Sequence, residues 1–300
     1  MINSIKVTNH HGESLSIDLR SPWEAGLAVM SIDGLGPPKA NIAMSELSSA
    51  DGSVFNSAKV PKRNIVLHFK ILDLPTVEDA RHILYKYFPI KKKIRLEINT
   101  DSRSAYADGY VESNEPTIFS NFEIAQVSIL CDFPYFKDSA DSITGLNDVI
   151  GRFEFPFTNP VGEETLIFGE LTLMTDVNVI NNGDVETGVI IALRATGDIR
   201  GITIYNSRTD QSMVLDDDKI EALTGSKIKA GDAIYINTNV GTKTIVLQRD
   251  GIEYNILSCL GRNTQWIYVE PGDNLFSYTA TSGAANVVVR VLMNELYAGI

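Results

Sequence analysis

Histidine and cysteine are scarce in this chain, and long apolar runs are missing. Its 300 residues include four histidines (His10, His11, His68 and His82) and two cysteines (Cys131 and Cys259). Every histidine precedes residue 83, so the second half has no imidazole to activate a serine or cysteine nucleophile. Two cysteines cannot by themselves make a zinc site. Both sit in strand-like runs, VSILCDF and YNILSCLG, and are expected as buried thiols rather than a disulfide. No phosphate loop of the GxxxxGKS/T kind occurs, and no HExxH, CxxC or GxSxG spacing. GLGPPK at 34–39 has two glycines, but two prolines follow and no helix opens there, so it reads as a turn. Catalytic, cofactor and metal sites are therefore expected to be absent. Carboxylates are abundant enough that counting alone leaves a glycosidase pair open.

No apolar stretch approaches the roughly 20 residues of a membrane helix. MINSIKVTNHHGES has no signal-peptide core, which points to synthesis in the cytoplasm and no membrane partner. Positive charge is also short, with 26 basic against 38 acidic residues and a net charge of −12. Such a chain repels nucleic acid phosphates as a whole. Its one basic cluster, Lys91-Lys92-Lys93 with Arg95, is expected as a solvated strand start. Asp216-Asp217-Asp218 lacks the alternating spacing and later Glu of a calcium loop, and is expected as a solvated turn.

What is present is strand. Hydrophobic residues make up 44% and charged residues 21%, which fits a packed globular chain, and the length suits two domains. Ile5 and Val7, then Leu15, Ile17 and Leu19, alternate around a His-His-Gly turn, predicting a hairpin with one buried face. LAVMSID at 27–33, KANIAMSEL and KRNIVLHFKIL predict further strands. The connector SSADGSVFNSAKVP carries the turn signal Asp51-Gly52 and, at an expected tip, the apolar residues Val54 and Phe55. Bulky apolar residues at a tip either fold back or land on something. One helix is predicted, over TVEDARHILYKYF at 76–88, with Thr76 as N-cap and Asp79 at the third helical position.

The first domain is expected to close near residue 137, and the polar stretch 138–148 reads as a linker. Residues 149–300 read as an antiparallel sandwich of short strands. Their turn signals are Asn182-Gly183, Gly197-Asp198, Asp250-Gly251 and Pro271-Gly272. Trp266 and Tyr268 share a strand face, as do Phe276 and Tyr278, so each pair is either core or a stacking platform for sugar.

Residues 34–72, GLGPPKANIAMSELSSADGSVFNSAKVPKRNIVLHFKIL, resemble the distal tail proteins of siphophages that infect Gram-positive bacteria. The resemblance continues through KYFPIKK and GYVESNEP to CDFPYF, and returns at TQWIYVEPGDNLFSYTATSG and LYAGI. It implies a mainly β protein with an N-terminal ring-forming domain over 1–137, carrying one helix and an extended belt hairpin at about 39–72. A galectin-like sandwich over 149–300 is implied to follow. The implied role is a structural hub at the virion tail tip, a homohexameric ring assembled in the host cytoplasm. The ring would join the tail tube to the tail-associated lysin or spike and anchor receptor-binding proteins, with DNA only passing through its channel. The implied belt tip is Asp51, Gly52, Val54, Phe55 and Asn56. The alternative is an adhesion protein whose second domain grips cell-wall carbohydrate through Trp266 and Tyr268.

Overall fold

The N-terminal alternation builds the hairpin it predicts. In the computed structural model β1 (Ile2–Thr8) pairs antiparallel with β2 (Ser14–Asp18), and Ile5, Val7 and Ile17 are buried. Gly12 closes the turn at φ 83°, a left-handed conformation that costs glycine nothing. The structure describes residues 1–48, 51–73, 76–118, 123–145, 147–151, 169–173 and 176–300.

β3 (Leu27–Asp33), the hairpin of β4 (Asn41–Glu46) and β5 (Ser53–Lys59), and β6 (Arg63–Ile71) follow. Helix α1 (Val77–Tyr87) starts at Thr76, whose side chain accepts from the Asp79 backbone N–H at 3.1 Å. Ala80 and Leu84 lie one turn apart and are its buried face. Strands β7 (Lys93–Thr100), β8 (Ser104–Pro116), β9 (Ile124–Cys131) and β10 (Phe136–Asp138) come next. They complete an antiparallel sheet in the order β2-β1-β7-β8-β9-β6-β3, with β10 on β8. The inward row of β6 is Arg63, Ile65, Leu67, Phe69 and Ile71. Its first member is a charged residue where period two demands an apolar one.

The second unit runs from β11 to β23. β11 (Ser142–Gly145) and the first two residues of β12 (Asn147–Gly151) lie in the stretch 138–148 expected as a linker, whose polarity hides their strand character. β13 (Gly169–Leu173) lies in the apolar run EETLIFGELTLM, of which residues 163–168 and 174 lie outside the described residues. β14 (Asp176–Asn181), β15 (Thr187–Ala195), β16 (Thr203–Asn206) and β17 (Gln211–Val214) follow.

Helix α2 (Asp217–Thr224) corrects two expectations, that the chain has one helix and that Asp216–Asp218 is a solvated turn. Asp216 is its N-cap, accepting from the Asp218 and Lys219 amides, and Asp217 and Asp218 occupy the positive end of the dipole. Gly225 ends it at φ 81°. The acidic triplet was thus a helix-start signal.

β18 (Ala233–Asn237), β19 (Thr244–Arg249), β20 (Ile252–Asn255), β21 (Tyr268–Val269), β22 (Gly272–Thr279) and β23 (Val287–Met293) complete the unit. Asp250 and Gly251, at φ 52° and 80°, form the two-residue turn expected between β19 and β20, with Arg249 opposite Ile252. One sheet runs β11-β23-β15-β18-β19-β20 with β21 on β15, and a second runs β14-β22-β16-β17. Val189, Ile191, Ile236, Leu247 and Val289 of the first sheet share one core with Ile204, Met213, Phe276 and Tyr278 of the second, which makes a β-sandwich.

Beneath one edge of that core Arg249 pairs with Asp232 at 2.6 Å, both buried. Thr224, Ser226 and Lys227 take its remaining donors.

The chain then returns to its beginning. β24 (Leu296–Tyr297) pairs with β10, so Leu296–Ile300 belong with Met1–Ser139 in one compact unit and Ala140–Glu295 form the other. In topology the sandwich is an insertion between β10 and β24.

Candidate assembly surface

The β4–β5 hairpin leaves the sheet of the first unit and carries no buried residue, since all thirteen strand positions are exposed. An isolated two-stranded hairpin is marginal in water, so such an element gains stability by meeting a further surface. Its ladder pairs Ile42 with Ala58 and Met44 with Phe55. The register shifts after Ala43, leaving Asn56 as an extra residue on β5.

Directly opposed residues share a face, so Ile42, Met44 and Phe55 line one side, at 57%, 58% and 60% exposure. Val54 lies opposite Ser45, on the other side. The Asn56 side chain donates to the Ser45 hydroxyl at 2.6 Å, which pins the bulge. Asp51 and Gly52, with Gly52 at φ 107°, end the connection between the strands, and the Leu47 amide donates to the Gly52 carbonyl at 3.4 Å. Residues 49–50 of the tip lie outside the described residues.

The expected tip residues Asp51, Gly52, Val54, Phe55 and Asn56 are thus on one exposed hairpin, but the pleat separates Val54 from Phe55. Sequence reading missed Ile42 and Met44. Their signal was the alternation in NIAMSE, which pairs only once the bulge is known.

At the hairpin root a groove of about 290 Å³ is lined by Gly34, Pro37, Lys39, Pro61, Lys62 and Arg63, among others. Arg63 is 3% exposed. Its Nε donates to the Pro134 carbonyl at 2.6 Å, and Nη1 donates to those of Gly34 and Gly36 at 2.6 and 3.0 Å. Nη2 donates to the Ala298 carbonyl at 2.6 Å, and the Phe136 ring lies 4.4 Å from the guanidinium carbon. Burial pushes its pKa down, but arginine keeps its proton. The neighbouring Cys131 thiol is pushed up to about 11, chiefly by burial, and is neutral at pH 7. Cys131 and Cys259 are both free and buried, as expected.

Of the basic cluster, Lys93 and Arg95 pair with one carboxylate of their own sheet, while Lys91 and Lys92 are exposed. Arg95 grips Asp108 through two bonds, at 2.8 and 3.2 Å, and lies over Tyr106 at 3.9 Å, while Lys93 stands 3.6 Å from the same carboxylate. Burial raises the Asp108 pKa, but the Arg95 bonds and the charges of Arg95, Lys93 and Lys137 outweigh it and leave the carboxyl below its usual range.

In the sandwich Phe276 and Tyr278 are core, at 0% and 1% exposure. Trp266 and Tyr268 are half-buried, and the Lys243 ammonium lies 5.1 and 5.2 Å from their ring centres. A sugar stacking on these rings would first have to displace that lysine. Among the described residues no three His, Cys, Asp or Glu side chains are grouped to hold a metal.

No protein-family model matches the chain, and no curated protein matches its sequence. The phage P2 baseplate in its activated conformation with calcium aligns over 97% of this chain and 98% of its own, at 12% identity and a TM-score of 0.45. The SPP1 Dit protein, described as a paradigm of the hub adsorption apparatus in phages infecting Gram-positive bacteria, aligns over 97% of this chain and 98% of its own. With a TM-score of 0.63 at 13% identity, the chain is similar in fold to that Dit protein along nearly its whole length.

Proposed function

We propose that this chain is a structural hub of a phage tail tip, in which copies associate through the β4–β5 hairpin into a closed hexameric ring. The observation that carries the reading is the exposed apolar face of Ile42, Met44 and Phe55, on an element that leaves its own sheet. A hairpin on one copy that meets a different surface on the next is a head-to-tail contact, and such contacts close into rings when the rotation fits.

The magnitudes favour a ring. Burying what is still exposed of three such side chains, 57–60% of each, contributes roughly 3–5 kcal/mol. Association costs about 4–15 kcal/mol, so one contact alone gives a weak pair. In a ring every copy makes the contact twice. The partners of this reading are the tail tube, the tail-associated lysin or spike and receptor-binding proteins. DNA passes through the channel without being bound, which suits a net charge of −12. The galectin-like sandwich serves as a spacer or attachment platform rather than a catalytic domain.

Light scattering on the concentrated protein is the test, with a hexameric mass expected. Phe55→Asp forces a charge into the apolar contact and is expected to reduce the mass to that of a monomer. Val54→Asp, on the opposite face, is expected to weaken assembly less. A mass that Phe55→Asp leaves unchanged would sink the assignment.

A further inference from the structure

Three separated stretches of the first unit converge on the guanidinium of Arg63. The side chain belongs to the first residue of β6, which directly follows the returning leg of the hairpin. Nη1 holds the carbonyls of Gly34 and Gly36 in the outgoing leg. One group therefore fastens both legs. The other two carbonyls come from Pro134 and from Ala298, beyond β24.

The tail adds contacts of its own. The Ile300 amide donates to the Leu35 carbonyl at 3.1 Å. Gly299 packs so closely that a Cβ there would stand 3.0 Å from the Leu35 carbonyl oxygen and 3.2 Å from Pro37 Cδ. Among the described residues Arg63 pairs with no carboxylate, so its buried charge is balanced by main-chain dipoles and the face of the Phe136 ring. Four carbonyls meet the donors of one rigid planar fork, a geometry that lysine cannot reproduce.

We infer that Arg63, clamped by residues 296–300, is the positioning residue of the β4–β5 hairpin, and that the tail thereby fixes the direction in which the hairpin leaves the sheet. The inference deepens the assembly reading above and rests on it. Because the sandwich is inserted between β10 and β24, residues 296–300 are made only after it. The apolar face of Ile42, Met44 and Phe55 is therefore aimed only once the inserted unit has been synthesised. The order of synthesis would then gate assembly.

Spin labels test this on the full chain, at Ser57→Cys on the hairpin and Ser16→Cys on β2. The two native thiols are buried, so the added cysteines take the label. Arg63→Lys keeps the charge and loses the fork. Gly299→Val leaves Arg63 untouched and crowds the tail away from Leu35 and Pro37. Both are expected to broaden the label–label distance distribution at least twofold, while amide exchange across residues 176–295 stays unchanged. Both are also expected to lower the ring mass.

An unchanged distribution in both variants overturns the clamp. Broadening by Arg63→Lys but not by Gly299→Val removes the tail from it. A broadened hairpin that still assembles to full mass overturns the positioning role. Should Gly299→Val fail to fold, Gly299→Ala gives the same reading with a smaller bulk. The distances are measured on the monomer, so they judge the clamp even where the unsubstituted protein forms no ring, and that failure counts against the assembly reading alone.

Discussion

Two hairpins in this molecule carry the same Asp-Gly signal and meet opposite fates. Asp250-Gly251 makes a two-residue turn, and the strands it joins lie in a sheet whose inward row includes Ile245, Leu247 and Arg249. Asp51-Gly52 closes a longer connection, and its strands stand outside any larger sheet with Ile42, Met44 and Phe55 in water. Turn chemistry is local, so it yields a hairpin in both places. Whether the hairpin is scaffold or contact depends on what lies beside it. The lesson is that alternation plus a turn predicts pairing, not burial.

The same contrast holds for the two arginines buried among the described residues, each at the end of an inward strand row. Arg249 is answered by a carboxylate from a loop 17 residues away. Arg63 is answered by main-chain carbonyls up to 235 residues away. The first is an internal tie of the sandwich, and the second gathers distant segments at the hairpin root.

Three substitutions would break or sharpen this contrast. Asp232→Ala should cost the most, about 3–5 kcal/mol in chemical denaturation of the sandwich, because it leaves the Arg249 charge buried and unpaired. A loss under about 1 kcal/mol would show that water reaches Arg249 easily. Leu247→Ala should cost about 2–5 kcal/mol by leaving a cavity. By contrast Phe55→Ala should change the stability of the monomer by no more than about 0.5 kcal/mol while weakening assembly. If the two cost the same in the monomer, Phe55 is not free in the isolated chain and the contrast between the hairpins fails.

Asp216→Ala should remove a cap worth about 1 kcal/mol and expose α2 to faster amide exchange. Unchanged exchange would mean the helix start is held by its packing.

The smallest effect concerns acid. The Asp108 carboxyl has a folded pKa below its unfolded value near 3.9. Its contribution is therefore complete above about pH 4 and is lost as the pH falls through the folded pKa. With Arg95 half exposed, that contribution is under about 1 kcal/mol. Asp108→Asn should flatten the acid limb of the stability curve slightly, and a variant that follows the parent across that limb would refute the linkage.

Legibility followed the range of each signal. The first hairpin, β3, α1 and the β19–β20 turn could be read because alternation, a Thr76 cap and an Asp-Gly dipeptide act within a few residues. Helix α2 was readable in principle, since Asp216–Asp218 and Gly225 bracket it, but a short helix with one buried residue, Ile220, has little periodicity to show. At the candidate surface Phe55 was visible as an apolar residue near a turn. Its partners Ile42 and Met44 were not, because a one-residue bulge changes which residues face each other.

By itself the sequence determined that this chain is mainly β, that it lacks the common catalytic spacings and that an apolar tip lies near residue 55. These follow from composition and from neighbours within one turn or one strand. Only the tertiary structure decided that Val54 and Phe55 face apart, that Arg63 in an apolar row is satisfied, and that the last residues close the first unit. The reason is physical. A buried charge is tolerated only where carbonyls converge on it, and those carbonyls lie 27, 29, 71 and 235 residues away from Arg63. No local pattern records such a convergence.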